Sequence, residues 1–420
     1  MSQEKPECVY HGCKRKPLES SKDGYCIFHA GAEEKDAREF NEALRSYISE
    51  ITEKHLDYNF RGFVFVGDVN FSEYYPVLEL THKHVLAKTT NFREARFCKD
   101  AIFDGIDFRG YTSFWKTRFH GEADFEEAVF REQVTFRKAD FQEEASFLRA
   151  EFENTANFKE TKFHGEATFS AANFWEYTDF HGAEFEKGLD FNGAEFHKRA
   201  SISPKFIKGK ALFVFAVLDN ISLVSLNLDK DASIDFTDAR LRNTEIMRED
   251  IEGHIIDEHE KHFPKARQVY LLLKNNFHSL ARYDDESWAF KKEKDMERKG
   301  YYHAKSFRKW RWLCSWFFNL LYGYGERPFW ILGWCGLLLL LSSFIYWLSK
   351  GVFQVLGTRL VPVEDYWNNL YFSVVTFTTL GYGDFRPIGK IRVLASIEAF
   401  LGIFFIALFI FTFARKTGGR

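Results

Sequence analysis

The sequence predicts a multidomain membrane protein: a β-solenoid, a helical linker, and an α-helical module with two membrane spans around a re-entrant helix. Three observations carry this. Phenylalanine recurs from Phe92 to Phe196 at spacings that alternate five and six. Two long apolar segments, Phe329–Leu348 and Val393–Phe413, lie near the C-terminus, the second with one acid, Glu398. Between them stands Thr-Phe-Thr-Thr-Leu-Gly-Tyr-Gly-Asp, residues 376–384.

A chain of 420 residues has room for two or three domains. The net charge of −3 gives no argument for nucleic acid. The six cysteines do not form a disulfide framework and suit a reduced compartment. The N-terminus is Glu- and Lys-rich, with no apolar run that would serve as a secretory signal.

Residues 1–30 read as a small metal module. Cys8-x4-Cys13-x12-Cys26-x2-His29 supplies three thiolates and one imidazole, a full tetrahedral set for structural Zn²⁺. Gly12 and Gly24 stand beside ligands, where tight knuckles are needed, and His11 is the substitute for His29. The phrase Gly24-Tyr-Cys26-Ile-Phe-His29 resembles the end of a family of small bacterial zinc modules. Four protein ligands leave no open position for a reacting water. Residues 31–60 come next as a capping helix, with Phe40, Leu44, Tyr47, Ile48 and Ile51 at helical spacing.

The solenoid is expected over 80–250. One phenylalanine series runs from Phe92 through Phe103 and Phe114 to Phe191, the other from Phe97 through Phe108 and Phe119 to Phe196, each with an 11-residue period. Two residues before each of these 20 phenylalanines sits Ala (12), Thr (5) or an aliphatic residue (3). On a helix, residues two apart differ by ~200° and would share no stripe. On a strand they share a face, so each Phe and its small partner point inward together. The pattern resembles pentapeptide-repeat proteins. That resemblance implies a right-handed quadrilateral β-helix of about seven coils, two 11-residue repeats per coil, continuing through degenerate members to Ile246.

Residues 255–300 read as a helical hairpin, Pro264–Leu280 and Asp284–Lys299, that covers the solenoid's end and spaces it from the C-terminal segments. It resembles the hairpin that often succeeds such repeats in membrane-attached proteins. His254, His259 and His262 with Asp257 and Glu258 read as a charged helix face. Residues 305–326 are expected to hold an interfacial helix, aromatic-rich over Trp310–Tyr322 and basic at its start. Gly323-Tyr-Gly325 is read as a turn into the first span.

Residues 327–416 form the last module: an outer helix 329–348, a short helix 366–378 capped by Asp365, and an inner helix 391–414. Phe329–Leu348 carries no charge over 20 residues, enough to cross a bilayer core of ~30 Å. Thr379, Leu380, Gly381, Tyr382 and Gly383 match the potassium-channel selectivity filter, with Leu in place of the commoner Val. Alternate glycines permit left-handed backbone that turns successive carbonyls to one side. The module resembles the pore of two-transmembrane-helix prokaryotic potassium channels of inward-rectifier type. The resemblance implies K⁺ as the transported ion, a homotetramer, and filter-associated roles for Thr378, Asp384 and Glu398. Glu398 is expected behind the filter and Gly402 is expected to act as a hinge. Val375 stands where many relatives carry a Glu that pairs with the filter-exit acid.

Basic residues flank both spans (Arg308, Lys309, Arg311 and Arg327 before, Arg415, Lys416 and Arg420 after), which places both termini on the cytoplasmic side of the cell membrane. Partners expected are the lipid bilayer, anionic lipids at its inner leaflet, and a cytoplasmic ligand of the repeats. No voltage-sensing Arg series, phosphate loop or C-terminal regulatory domain is visible, which leaves regulation to the N-terminal assembly, the membrane or ions. The histidines of the repeats recur with the repeat period and read as surface, so nothing points to an enzyme. The competing reading is a membrane-anchored scaffold whose pore module does not conduct.

Overall fold

The computed structural model describes residues 7–74, 84–302, 309–357 and 359–418. The expected starts of the solenoid at 80 and of the interfacial helix at 305, with Arg308 and Arg420, lie outside them. The chain divides into two compact units, residues 1–286 and 287–420.

The first unit is built on a β-solenoid of about seven turns over the repeats. Its two-residue strands stack in parallel into four sheets of nine, seven, eight and six strands. Register obeys the 22-residue coil: Phe119 lies between Phe97 and Phe141 on neighbouring coils. Stacking of identical positions brings the rings into columns. Phe92, Phe114, Phe136, Phe158 and Phe180 stack with centroids 4.7–4.9 Å apart. Neighbouring columns meet edge to face, as Phe114 meets Phe125 at 5.3 Å. Every phenylalanine of both series is at most 2% exposed. Each contributes on the order of 2–3 kcal/mol of burial, so these columns are the core.

The alternation of five and six has a backbone cause. In the five-residue corner the second residue after Phe is left-handed: Glu94, Lys116, Lys138 and Glu160 all have φ of 56–61°. The amide three residues past Phe then bonds its carbonyl, as Ala95 N–H bonds Phe92 O at 3.0 Å. Positive φ at the third turn position with that bond is the type II pattern. The buried Thr that replaces Ala keeps its hydroxyl paired: Thr117 and Thr161 donate to the Phe92 and Phe136 carbonyls at 2.7 and 2.8 Å.

Strands begin at Tyr58, earlier than the clean repeats. Phe60, Phe65 and Phe71 keep the spacing, and their rings join the columns. The helix α1 (Ala37–Glu53), capped by Asp36 at the Arg38 and Glu39 amides, buries Phe40, Leu44, Ile48 and Ile51. At the other end come two single-turn helices, α2 (Arg248–Ile251) and α3 (Ile256–His259). The pair α4 (Phe263–Ser279) and α5 (Tyr283–Tyr302) comes after them. Asn276 of α4 closes the last coil: its side chain accepts from the Thr244 amide and donates to the Thr244 carbonyl, at 3.0 and 2.8 Å. An edge that would otherwise expose unpaired backbone is thereby satisfied.

The second unit is helical. It holds most of α5, then α6 (Lys309–Tyr322), α7 (Pro328–Ser349), α8 (Tyr366–Phe377) and α9 (Ile391–Gly418). Gly323–Gly325 forms a 3₁₀ turn, where the Tyr324 hydroxyl meets Ser315 at 2.7 Å. Within α7 and α9, Pro328–Ser349 and Ile391–Ala414 are long and apolar enough to cross a membrane. Between α7 and α8 the sequence alone suggests only a loop. The structure holds a hairpin, Val352–Leu356 with Arg359–Pro362, joined by Phe385–Pro387 into a three-stranded antiparallel sheet.

Candidate functional site

Asp365 accepts the Asn368 amide at 3.0 Å and starts α8, whose apolar face buries Phe372, Val375 and Phe377. The helix ends at Thr378. From there the backbone changes hand at every second residue: φ is 59° at Thr379, 57° at Gly381 and 79° at Gly383. Only the two glycines take this without cost. The β-branched Thr379 pays about 1–2 kcal/mol, the kind of local strain that marks functional backbone. Peptide planes alternating between left- and right-handed conformations turn their carbonyls to one side.

Among the described residues, none of the five carbonyls from Thr379 to Gly383 accepts a hydrogen bond. Amides at the inner end are tied down: Thr379 N–H bonds Thr376 O, and Leu380 N–H bonds Val375 O, both at 3.1 Å. The run of bare carbonyls stands on exposed backbone beside a helix C-terminus, where the dipole is negative.

Two carboxylates of this module need partners. Asp384 stands directly after the ribbon, and its carbonyl accepts from the Val355 amide at 2.8 Å. Glu398 of α9 is 1% exposed. Hydroxyls from two other helices converge on it: Tyr346 of α7 and Ser373 of α8. It thus fastens both spans to the re-entrant helix. Gly402 lies in unbroken helix, where a Cβ would overlap the Phe377 carbonyl at the end of α8. Its place is a close contact between α9 and the base of the ribbon.

The expected ligand atoms of Cys8, Cys13, Cys26 and His29 lie within 4.8 Å of one another. Cys13 and Cys26 sulfurs are 3.8 Å apart, and Nδ1 of His29 is 3.7 Å from Cys8 and 3.2 Å from Cys26. A tetrahedron with Zn–S arms of 2.3 Å has edges of about 3.8 Å, so the set fits zinc. Nε2 of His29 bonds the Arg61 carbonyl at 3.1 Å, which leaves Nδ1 as the lone-pair donor. Tyr10 stacks on the imidazole at 4.0 Å. Burial lowers the His29 pKa to about 4, so the ring is neutral, and raises Cys26 to about 12. Thiolates in that pocket require a cation. His11 is not part of the cluster. His254 and His259 bond backbone carbonyls instead, those of Ala232 and Gly253, and His262 faces Asp257 and Glu260.

Sequence reasoning did not identify Tyr346 or Ser373, because scattered hydroxyls have no spacing signal. It also missed the hairpin, although Val352–Leu356 and Arg359–Pro362 flank a Gly357 turn and could have shown it.

Comparison with known proteins agrees with this division. Residues 333–418 match the family model described as ion channel. Residues 114–159 and 147–195 match the model of pentapeptide repeats. No curated protein and no solved structure matches the chain.

Proposed function

We propose that this chain, an ion-channel module carried behind pentapeptide repeats, is the subunit of a potassium-selective channel that works as a homotetramer. The observation that carries the reading is the run of five unbonded carbonyls, Thr379 to Gly383, on backbone of alternating hand. One such ribbon covers one side of an ion. Four around an axis replace the hydration shell of a dehydrated K⁺. The negative end of α8 favours a cation at the inner entrance, and Glu398 braces the ribbon from behind.

The protein sits in the cell membrane with both termini in the cytoplasm. The basic start of α6 lies against the anionic inner leaflet, and the solenoid takes a cytoplasmic partner. Cys8, Cys13, Cys26 and His29 hold a structural Zn²⁺. The N-terminal assembly gates the pore by pulling α6 and thereby the inner end of α9, whose outer part is held at Gly402.

Flux from liposomes tests the reading. Wild type is expected to pass K⁺ in preference to Na⁺, and Gly381→Ala, which forces a Cβ into left-handed backbone, to lose about tenfold or more of that flux. Equal leak of both ions, insensitivity to Gly381→Ala, or no flux at all would reject a selective filter and favour a membrane-anchored scaffold.

A further inference from the structure

Among the described residues none donates a hydrogen bond to the ribbon's carbonyls, so its shape depends on how its two ends are held. The inner end is fixed by α8. At the outer end, the chain from Asp384 to Ile388 is bonded along its length to the hairpin that succeeds α7. Phe385, Arg386 and Pro387 pair with Gln354, Phe353 and Val352. Val355 N–H donates to the Asp384 carbonyl at 2.8 Å, and Ile388 N–H donates to Gly351 at 2.9 Å.

The hairpin is itself anchored. Val352 is fully buried in a cluster with Tyr346, Val363, Phe372 and Ala395, against which Phe385 packs. Val363 N–H bonds the Val352 carbonyl at 3.0 Å. We infer that this hairpin positions the outer mouth of the filter, with the Val355 amide as the positioning group for the Asp384 carbonyl. The inference rests on the potassium-channel reading. Asp384 is then gripped through its carbonyl by the hairpin. The backbone grip stands one residue beyond the left-handed Gly383, where the outermost ion would be released. With that bond gone, the Tyr382 and Gly383 peptides lose their outer restraint and are free to turn their carbonyls off the axis.

The test compares Val355→Pro, which removes the N–H, with Val355→Ala, which keeps it, in full-length protein in liposomes. A flux measurement first fixes which alkali cation wild type conducts. In low external concentration of that ion, current through V355P is expected to decline during sustained conduction about fivefold faster than wild type, the effect of one lost hydrogen bond. V355A is expected to match wild type, and high external concentration to slow the decline in V355P. If V355P fails to assemble, hydrogen exchange on wild type decides: the 352–356 amides are expected to exchange several-fold more slowly in the conducted ion than in a non-conducted one. A V355P channel that matches V355A, or exchange indifferent to the ion, would overturn the inference. Wild type that prefers an ion other than K⁺ rejects only the potassium reading, and wild type that conducts none overturns both.

Discussion

Lys35 carries a charge into a place that water reaches poorly. Its ammonium donates to the carbonyls of Ile27 and Val64 at 2.8 and 2.6 Å and to Phe28 at 3.4 Å, over the face of Phe40. One side chain thus joins the metal module, α1 and the first coil. Burial pulls its pKa down to about 7, while the unfolded chain keeps its proton to about 10.5. Between those values the unfolded state binds more protons, so this group makes stability rise with pH; below 7 the penalty is present in full and constant. Thermal melts across pH 7 to 10 should show that rise in wild type and lack it in Lys35→Met. At pH 7 the variant should be destabilised by about 1–3 kcal/mol, because three carbonyls lose a donor. At this scale the sequence offers its candidates directly: the spacing 8, 13, 26, 29 and the Thr379–Gly383 motif are both local in sequence. Partnerships are not. Lys35 with Val64, and Glu398 with Tyr346, join residues dozens of positions apart through side chains that any surface also uses.

At the scale of elements, the left-handed corner separates backbone cost from packing. Ala171 occupies it with φ of 53°. Glycine there would recover about 1–2 kcal/mol of steric cost and give back roughly 0.5–1 in chain entropy. Ala171→Gly is therefore expected to stabilise the solenoid by roughly 0.5–1 kcal/mol in thermal denaturation, the reverse of the usual result for glycine in a strand protein. The front cap allows a metal test. Val64 N–H bonds the Phe28 carbonyl at 2.8 Å and Phe28 stacks on Phe63 at 4.5 Å, so the segment holding Cys26 and His29 continues the first coil. If the Cys8, Cys13, Cys26 and His29 cluster holds zinc, a strong chelator should lower the unfolding temperature by about 2–4 °C for each kcal/mol lost. Exchange protection should fall first around residues 58–65, and metal content measured alongside should fall in step. The repeats were legible because each Phe and its small partner repeat without error. Strands from 58 to 70 escaped the reading because the distance from Phe71 to Phe92 breaks the rhythm.

On the scale of the whole molecule, the chain is two units with separate cores, phenylalanine columns in one and helix contacts in the other. If the first governs the second, removing residues 1–300 should leave a pore that still prefers K⁺ but whose open probability has changed several-fold, a shift of about 1 kcal/mol or more in the closed–open balance. Single-channel recording reads both quantities; an unchanged open probability would leave the solenoid without a part in gating.

The contact at Gly402 limits how such a pore can open. With the glycine seated on the Phe377 carbonyl, α9 is wedged against the end of α8 and cannot slide without displacing the base of the 379–383 ribbon. Residues 403–418 extend beyond that fulcrum by about 24 Å. A swing of a few degrees at the wedge becomes ångströms of travel at the tip, so a small pull near the inner leaflet would widen the passage while the ion-binding end stays still.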